Sequence, residues 1–367
     1  MGAMIRDFVI NFLNLIIPKK SNRIVIVSFP DFDDQTRAVT EDLLQSEIIV
    51  LVSDIIDRPL WLNDDVIVVK RTSLTGLWYL VTSDLILLTH GLSSNFKLLN
   101  EKRQLVINLT HGMYVKNMHL LLGETSAPKF HYILSVSQLF SDILSRMFAL
   151  PIDRVLVSGI PRNRFLTRET KCKLLLDLKS KYSKVTLWMP TYRKTNVAGG
   201  KVDVDTVNVF GNVGLDLNRL NTILELNGEL LIIKPHPMAS YDAIDKYSNI
   251  SIVTNDNISK DGFSLYELVA ISDVLLTDYS SIFVDFMVTK RPVIFVMFDE
   301  KEYEEGRGTT IDHGLHVLPG EKVTSTEGLY NIFSRKGKTG FYNMSPFVEH
   351  GVCDNFTEVL NSIRLEK

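Results

Sequence analysis

Short runs of consecutive apolar residues recur along this chain, and a polar or helix-like stretch follows each of them. Residues 24–27 and 85–88 are apolar at every position rather than at every second one. A strand of this kind must be covered on both faces, as strands are in a parallel sheet flanked by helices. The pattern therefore predicts an α/β protein built on doubly wound parallel sheets.

The apolar runs form two groups, with a charged and helix-like stretch at residues 163–183 between them. The predicted strands cover residues 23–29, 47–52, 66–70, 84–89, 105–109, 132–136 and 155–157, and then 185–189, 230–233, 250–253, 274–276 and 293–297. Helical patterns separate several of them, at residues 36–46, 75–82 and 138–149. A long loop is predicted at about residues 195–216. The grouping predicts two tandem Rossmann-like domains, with ligands in the cleft between them, beyond the carboxyl ends of the strands.

These patterns divide the chain into four predicted parts. The parts are an N-terminal amphipathic helix at residues 1–22, a first Rossmann-like domain at 23–165, a second at 166–353 and a C-terminal helix at 354–367. The longest apolar stretch, residues 4–17, is shorter than the roughly 18 residues that span a bilayer.

The N-terminal stretch has two faces when it is drawn as a helix. Its polar residues fall within an arc of about 140°, and they are Arg6, Asp7, Asn11 and Asn14. The cations that follow it are Lys19, Lys20 and Arg23. This pattern is typical of a helix at a membrane interface with a basic flank, and equally of a helix packed on the first domain.

The composition excludes several classes of protein. The chain has 367 residues, 45% of them hydrophobic, and a net charge of −3, which is typical of a folded protein. The mildly acidic balance argues against nucleic-acid binding, which needs a broad basic surface. Cys172 and Cys353 are far apart and in no metal-binding spacing, so we expect no disulfide framework, no zinc site and a reducing cytosol.

Polar clusters repeatedly follow the apolar runs. These clusters are His90-Gly91, Thr110-His111-Gly112, Ser135 with Ser137, Gly159-Ile160-Pro161-Arg162, Pro190-Thr191-Tyr192-Arg193, Lys234-Pro235-His236-Pro237 and Thr277-Asp278-Tyr279-Ser280-Ser281. Because the carboxyl ends of parallel strands share one edge of a sheet, the clusters predict a rim of functional groups around one cleft.

Several clusters have the chemistry of a phosphate site. Ser280 or Ser281 precedes an apolar helix at residues 282–288, where hydroxyls and free N–H groups favour an anion, and an ordinary helix cap is the alternative. Lys234 and His236 lie on a turn stiffened by prolines, and a structural loop histidine is the alternative there. The candidate phosphate clamps are Arg162, Arg193 and Arg307.

Two histidines are candidates for a general base. His111 and His90 each precede a glycine at the end of an apolar run, and an imidazole titrates near neutrality. The sequence alone leaves the choice between them open. The chain contains no GxxxxGK[ST], GxSxG or HExxH motif, and no GxGxxG follows the first strand. The acidic stretches at residues 31–34 and 203–205 do not follow the pattern of the other clusters, so we expect no metal and no cofactor.

These motifs, in this order, resemble the CDP-glycerol glycerophosphotransferases of teichoic acid synthesis. The resemblance covers about residues 23–315. The shorter motifs that carry it are residues 109–112, 158–162, 189–193 and 234–237. The most specific block is residues 272–286, and it continues through 290–292, Tyr303, 307–308 and Asp312. It implies a GT-B fold with an acceptor domain first and a CDP-donor domain second. Residues 113–116 depart from the usual continuation after the His-Gly pair.

The resemblance also implies roles for residues. His111 resembles the base that activates the acceptor hydroxyl, and His236 the partner of the donor phosphates. The implied donor contacts are Lys234, Thr277, Asp278, Ser280, Ser281, Arg307, Gly159, Arg162, Thr191 and Arg193. The implied partners are CDP-glycerol or CDP-ribitol, an undecaprenyl-diphosphate-linked glycan and the cytoplasmic face of a bacterial membrane.

Two other functions fit the predicted fold. A GT-B glycosyltransferase using a nucleotide sugar shares the cleft and the need for a base, and the block at residues 277–286 argues against it. A non-enzymatic binding protein is the other possibility, and the presence of both His111 and His236 argues against that one.

Overall fold

The computed structural model describes residues 2–54, 58–92, 95–191, 214–235, 247–301, 303, 308–311, 317–335 and 346–365, with side chains from residue 7 onward. Three predicted site residues, Arg193, His236 and Arg307, lie outside the described residues, as does most of the predicted loop at 195–216.

The chain divides into two compact units. Unit 1 comprises Met1–Met113, Met118–Arg164 and Glu349–Lys367, and unit 2 comprises Tyr114–Asn117 and Phe165–Val348. The change of unit at Arg164 lies beside the sequence-based boundary at residue 165. Both terminal helices, which the sequence placed in separate parts, are grouped with unit 1.

Unit 1 is built on a parallel sheet of seven strands within the described residues, in the order β3-β2-β1-β4-β5-β6-β7. The strands are β1 (Lys20–Val27), β2 (Glu47–Val52), β3 (Ile67–Lys70), β4 (Ser83–Leu88), β5 (Leu105–Asn108), β6 (Tyr132–Ser135) and β7 (Val155–Val157). The strand order reverses between β1 and β4, which pair in parallel with Ile24 opposite Leu85. Such a switch point is where doubly wound sheets bind ligands.

Unit 2 repeats this topology with six parallel strands in the described residues, in the order β10-β9-β8-β11-β12-β13. The strands are β8 (Lys184–Met189), β9 (Glu229–Ile233), β10 (Ile250–Ile252), β11 (Val274–Thr277), β12 (Val293–Val296) and β13 (Glu321–Val323). The order reverses between β8 and β11. The fold prediction of doubly wound parallel sheets is therefore confirmed, and β13 is the strand that the sequence did not predict.

The helices lie between the strands. Their bounds are α1 (Gly2–Ile16), α2 (Asp34–Asp42), α3 (Leu74–Thr82), α4 (Gln138–Phe148), α5 (Arg164–Thr167), α6 (Lys173–Lys181), α7 (Leu217–Asn227), α8 (Asn255–Asp261), α9 (Leu265–Ile271), α10 (Ile282–Phe286), α11 (Thr326–Ser334) and α12 (Phe356–Leu365). The helix-like stretch predicted at residues 163–183 is divided into α5 and α6. Within the described part of the chain, no helix combines the length and the apolar character needed to cross a membrane.

Side chains at the helix starts explain several of these bounds. Asp33 accepts the Thr36 N–H at the start of α2, and Ser137 accepts the Phe140 N–H at the start of α4. Ser264 and Glu267 form a reciprocal capping box at α9. Each cap satisfies a backbone donor that the first helical turn leaves without a partner.

A buried ion pair connects residues of unit 1 that are distant from one another in the sequence. Asp42, at the end of α2, accepts two hydrogen bonds from the Arg164 guanidinium, one of them at 2.7 Å. The same carboxylate accepts the Phe356 N–H at 2.7 Å, at the start of α12. The Arg164 side chain is 2% exposed. Removal of the carboxylate therefore leaves a buried cation without its counterion.

We expect Asp42→Ala to lower the free energy of unfolding by about 3–5 kcal/mol, the usual cost of breaking a buried pair by removing one partner. Urea unfolding followed by circular dichroism measures this change. Glu321→Ala is the matched control, because it breaks an ion pair with the exposed Arg335 side chain and should cost less than about 1 kcal/mol. Equal effects of the two substitutions would contradict the proposed importance of the buried pair.

Candidate functional site

Two histidine rings stack at the carboxyl ends of β4 and β5 in unit 1. The ring centroids of His90 and His111 are 4.0 Å apart, and the ring planes differ by 9°. The turn carrying His111 is set by Thr110, whose hydroxyl donates to the Gly112 carbonyl oxygen at 2.7 Å. Gly112 has φ of 150°, which favours glycine at this position. The structure therefore brings together both histidines that the sequence had proposed as alternatives.

Both rings contact Thr89, one through its carbonyl oxygen and the other through its hydroxyl. His111 Nδ1 is 3.4 Å from the Thr89 carbonyl oxygen. Because a carbonyl oxygen only accepts, this contact is a hydrogen bond when the ring carries its proton on Nδ1. His90 Nδ1 is 3.2 Å from the Thr89 hydroxyl oxygen. That hydroxyl accepts the Phe29 N–H at 3.0 Å, so its own proton is available for His90.

The two rings differ in how readily one of them takes up a proton. Burial, reinforced by the positive charge of Arg162, lowers the pKa of His90 from its usual 6.5 to about 4. His90 is therefore neutral near pH 7, and its affinity for a proton is too low for a general base working at that pH. A neutral ring also adds no like charge beside His111. The arrangement favours His111 over His90 as the base.

Arg162 holds the loop that carries His111. Its guanidinium Nη2 donates to the His111 carbonyl oxygen at 2.8 Å. Its backbone N–H donates to Gln35 Oε1 at 3.1 Å, and Gln35 Nε2 donates to the Leu109 and Thr110 carbonyl oxygens at 2.7 and 3.0 Å. The predicted phosphate clamp is thus a buried part of the network in unit 1 that positions the histidine.

Asp33 lies close enough to Arg162 to feel its charge, and the sequence did not predict it as a site residue. It follows β1, caps α2 and accepts the Thr36 N–H at 2.9 Å. Burial of its carboxyl group raises the pKa of Asp33 from its usual 3.8 to about 6, against the opposing effects of its Thr36 hydrogen bonds and of the Arg162 charge. The acidic stretch at residues 31–34 does not follow the pattern of the other polar clusters, so the sequence did not predict a site there. Its position between an apolar run and a predicted helix was the signal that would have included it.

Backbone packing, without any ligand, explains why position 159 is a glycine. Its φ is 75°, and a Cβ atom there would lie 2.5 Å from the backbone of Val352. The neighbouring Ile160 forms a parallel bridge with Val352. Close backbone packing therefore requires this glycine, and its predicted donor contact has no support from this geometry.

In unit 2, Thr191 and Asp278 connect the ends of β8 and β11. The Asp278 carboxylate accepts the Thr191 N–H at 2.9 Å, the Thr191 hydroxyl at 2.9 Å and the Tyr279 N–H at 2.7 Å. The Thr277 hydroxyl donates to the Met189 carbonyl oxygen at 2.8 Å. Asp278 and Thr277 are buried, at 2% and 0% exposure. Asp278 and Thr277, which the sequence predicted as donor contacts, form hydrogen bonds that connect β8 and β11 at the switch point of the sheet.

Ser280 and Ser281 are half-buried at the start of α10, and both hydroxyls keep hydrogen-bonding capacity. Ser280 Oγ accepts the Ile282 N–H at 3.5 Å, at the limit of a hydrogen bond. Ser281 precedes the helix without a capping bond from its side chain. The helix predicted at residues 282–288 is a short α-helix, Ile282–Phe286, followed by a 3-10 turn, Met287–Thr289. Its dipole is correspondingly small, and the hydroxyls are the stronger anion ligands.

Lys234 places a buried cation at the carboxyl end of β9, beside β8 in the sheet. Its ammonium group donates to the Pro235 carbonyl oxygen at 3.1 Å, and burial lowers the pKa of Lys234 from its usual 10.5 to about 8. A bound phosphate would favour the charged form and offset its desolvation. Among the described residues, no group of three or more His, Cys, Asp or Glu side chains is placed to hold a metal ion.

Two further contacts in unit 2 involve the residues that carried the resemblance. The rings of Tyr279 and Tyr303 stack with centroids 3.6 Å apart, and the Tyr279 hydroxyl donates to Asp299 at 2.9 Å. Lys116 bridges Thr309 in antiparallel fashion, and the Thr310 hydroxyl donates to the Tyr114 carbonyl oxygen at 2.6 Å. The unusual segment after Gly112 thus packs against the residues that follow Gly308.

Comparisons with known proteins agree with this architecture. The family model described as CDP-Glycerol:Poly(glycerophosphate) glycerophosphotransferase matches residues 9–347. The teichoic acid poly(glycerol phosphate) polymerase of Bacillus spizizenii (strain ATCC 23059 / NRRL B-14472 / W23) is 25% identical over 374 residues, which cover 92% of this chain and 91% of the relative. The teichoic acid glycerol-phosphate primase of Bacillus subtilis (strain 168) is 27% identical over 203 residues, 55% of this chain.

The match to the primase spans about half of that relative, 48% of its length. Among solved structures, a variant of the wall teichoic acid polymerase TagF soaked with CDPG superposes with a TM-score of 0.67 at 20% identity. The superposition covers 91% of this chain and 85% of that one, and it shows a shared fold. The family match extends over most of the chain and includes both parallel sheets. The chain therefore belongs to the CDP-glycerol:poly(glycerophosphate) glycerophosphotransferase family.

Proposed function

We propose that this protein transfers glycerol phosphate from CDP-glycerol to a hydroxyl of a lipid-linked, teichoic-acid-like acceptor at the cytoplasmic face of the membrane. CMP is the leaving product. The observation that carries the proposal is the stacked pair of His90 and His111, which presents one imidazole as a base at a strand end of a chain in this family. The polymerase and primase relatives support transfer in teichoic acid synthesis.

In the proposed reaction, the acceptor oxygen attacks the β-phosphorus of CDP-glycerol. A bond forms between that oxygen and phosphorus, and the bond from phosphorus to the bridging oxygen breaks, so that CMP leaves with the electron pair. The acceptor proton passes to the imidazole of His111, whose ring lies against the Thr89 carbonyl oxygen. Positioning and electrostatic stabilisation supply most of the rate in phosphoryl transfer.

The donor contacts are assigned to unit 2. Lys234 and the hydroxyls of Ser280 and Ser281 are the described groups with capacity to bind phosphate oxygens. The resemblance adds His236, Arg193 and Arg307. Asp278 and Thr277 act by positioning Thr191, because their side chains hold the loop that carries it.

His111→Ala should reduce turnover by about 100-fold or more, because it removes the proposed base. The measurement is CMP release from CDP-glycerol in the presence of a lipid-linked acceptor. His119→Ala is the matched control, since His119 contacts Glu124 in a separate part of unit 1 and should leave turnover nearly unchanged. Near-normal turnover of His111→Ala would remove the residue from this role.

The neutral state of His90 predicts a specific dependence of stability on pH. The folded-state pKa of His90, about 4, lies below the usual 6.5, so the unfolded chain binds the proton first. The His90 contribution to the free energy of unfolding therefore falls as the pH drops from about 6.5 to 4. His90→Gln removes this contribution.

We expect the acid-induced loss of stability between pH 7 and pH 4.5 to be smaller in His90→Gln than in the wild-type protein, by about 1–2 kcal/mol. Urea unfolding at the two pH values measures each loss, so a constant offset between the proteins cancels. Equal losses in both proteins would show that His90 titrates normally in the folded state.

Combined substitution Ser280→Ala with Ser281→Ala should weaken CDP-glycerol binding by about tenfold or more, the effect of losing two hydrogen bonds to a charged group. Titration calorimetry measures the affinity. Ser251→Ala, at an exposed position of β10, is the control and should bind normally. Unchanged affinity in the double variant would contradict this phosphate site.

A donor panel separates the proposed reaction from its alternatives. CDP-glycerol, CDP-ribitol, UDP-sugars and CMP-sialic acid are offered with a membrane acceptor, and nucleotide release is followed. The proposal expects release with CDP-glycerol. Release only with a nucleotide sugar would favour the glycosyltransferase, and release with CDP-ribitol alone would change the alditol.

A further inference from the structure

The loop after β1, residues 28–33, leaves one phenylalanine exposed beside the two histidines. The Phe29 side chain is 64% exposed, and among the described residues it is the only exposed phenylalanine outside α1. Single exposed apolar residues are common on protein surfaces, so exposure alone does not indicate a site. The position of Phe29 makes it a candidate, because it follows β1 at the point where the strand order of the sheet reverses.

Thr89 connects Phe29 to both histidines. The Phe29 N–H donates to the Thr89 hydroxyl oxygen at 3.0 Å, and the same hydroxyl lies 3.2 Å from Nδ1 of His90. The Phe29 and His90 rings meet edge to face, with centroids 5.5 Å apart and planes at 88°. His111 stacks on His90 and contacts the Thr89 carbonyl oxygen. Three rings therefore adjoin at one strand end, and the outermost of them is the exposed Phe29.

The rest of this loop is anchored to unit 1. The Asp31 carboxylate accepts the Ser53 N–H at 2.7 Å, next to the carboxyl end of β2. Phe32 packs edge to face on Trp61, with ring centroids 6.4 Å apart. An anchored loop presents Phe29 in one position, so a ligand that contacts the ring does not have to order the loop first.

The charge of this loop restricts what can lie against the ring. Residues 28–34 contain no lysine or arginine, and their carboxylates are Asp31, Asp33 and Asp34. The Arg162 guanidinium, whose charge reaches Asp33, donates to the His111 carbonyl oxygen. A chain of phosphates brought to this loop would meet like charges, which is unfavourable. A neutral ligand meets no such repulsion.

We propose that Phe29 is a binding platform for a sugar ring of the acceptor, so that the hydroxyl presented to His111 belongs to a neutral glycan and not to a phosphate-linked chain. The proposal rests on the proposed function and narrows its acceptor. A pyranose ring presents several C–H groups on one face, and the electron-rich face of an aromatic ring attracts such hydrogen atoms. A glycerol phosphate unit has no flat apolar face, and its phosphate would approach the carboxylates of the loop.

The cytosine of the donor is the other flat group with the shape to stack on Phe29. The position of the ring favours the acceptor, because Phe29 adjoins the histidines of which one receives the proton of the attacking hydroxyl. The described groups with capacity to bind the donor phosphates belong to unit 2. Separate KM values for donor and acceptor distinguish the two ligands.

The experiment measures CMP release from CDP-glycerol with two water-soluble acceptors. One is a short-chain lipid diphosphate that carries a neutral disaccharide, and the other is the same molecule extended by one glycerol phosphate unit. The wild-type kcat/KM should be about tenfold or more higher with the disaccharide end. Phe29→Ala should raise the KM for the disaccharide acceptor about five- to tenfold, through loss of one aromatic contact, and should change kcat and the KM for CDP-glycerol by less than about twofold.

Conservative variants separate a stacking role from a merely structural one. Phe29→Tyr keeps the ring and should bind the disaccharide acceptor nearly as the wild-type protein does, whereas Phe29→Leu keeps apolar area without a ring and should resemble Phe29→Ala. Trp78→Ala is the matched control, because Trp78 is an exposed aromatic residue of α3, which leads into the amino end of β4. Both KM values of this control should stay at wild-type levels.

Three results would each overturn the proposal. The first is an unchanged acceptor KM in Phe29→Ala, or a wild-type preference for the glycerol phosphate end. The second is a raised KM for CDP-glycerol alone, which would assign the ring to the donor. The third is a loss of kcat alone, which would show that Phe29 supports the histidine pair and contacts no sugar.

Direct binding separates this inference from the proposed reaction. Titration calorimetry measures the affinity for the disaccharide acceptor without any donor, and Phe29→Ala should weaken it about five- to tenfold. That loss of affinity, together with no CMP release by the wild-type protein, would contradict the proposed function and leave the platform standing. Equal acceptor affinity and equal turnover in both proteins would remove the platform and leave the proposed function standing.

Discussion

Burial of parallel strands on both faces is the constraint on which the rest of this structure depends. The interior strands β4 and β9 have no exposed side chain, so their length offers no place for a group that must meet solvent or substrate. Polar chemistry is confined to the points where strands end. At those points His90, His111 and Lys234 occur, and a hydrogen bond from or to a distant residue holds the backbone of each. The switch points of the two sheets gather such turns side by side, which gives each unit its own group of polar residues.

The stacked histidines show how burial assigns different tasks to chemically identical side chains. Both rings are half-buried and lie near Thr89, which contacts one ring through its carbonyl oxygen and the other through its hydroxyl. The low pKa of His90 follows from desolvation and from the cation at Arg162. That same cation binds the His111 carbonyl oxygen, so a single guanidinium holds the loop and adds to the effect of burial in lowering the pKa of His90. A base next to a neutral ring gains a proton without repulsion from a second imidazolium.

The sequence predicted the sheets well because an unbroken apolar run has few other interpretations. It missed β13, where Glu321 and Lys322 occupy an edge strand and only Val323 is buried. The individual site residues were harder to predict, because a polar residue after a strand can serve a ligand or the fold. Asp278, predicted as a donor contact, accepts hydrogen bonds from Thr191, and Gly159, also predicted as one, accommodates the Val352 backbone; both predictions about the donor stay untested. Spacing along the chain cannot distinguish these uses, since the deciding partners are distant in sequence.

Helix α1 illustrates the same limit for amphipathicity. A helical wheel shows that two faces exist, and it does not show which of them meets the protein. Hydrophobic burial alone would turn Phe8 and Phe12 inward, but the surface beneath α1 presents Gln104 and the polar backbone groups of Asn95 and Lys97. Those groups require hydrogen bonds once they are covered, and Asn14, Asn11 and Asp7 supply them. The polar face is therefore the one that the protein can bury without leaving donors unsatisfied, and the apolar face of α1 stays exposed.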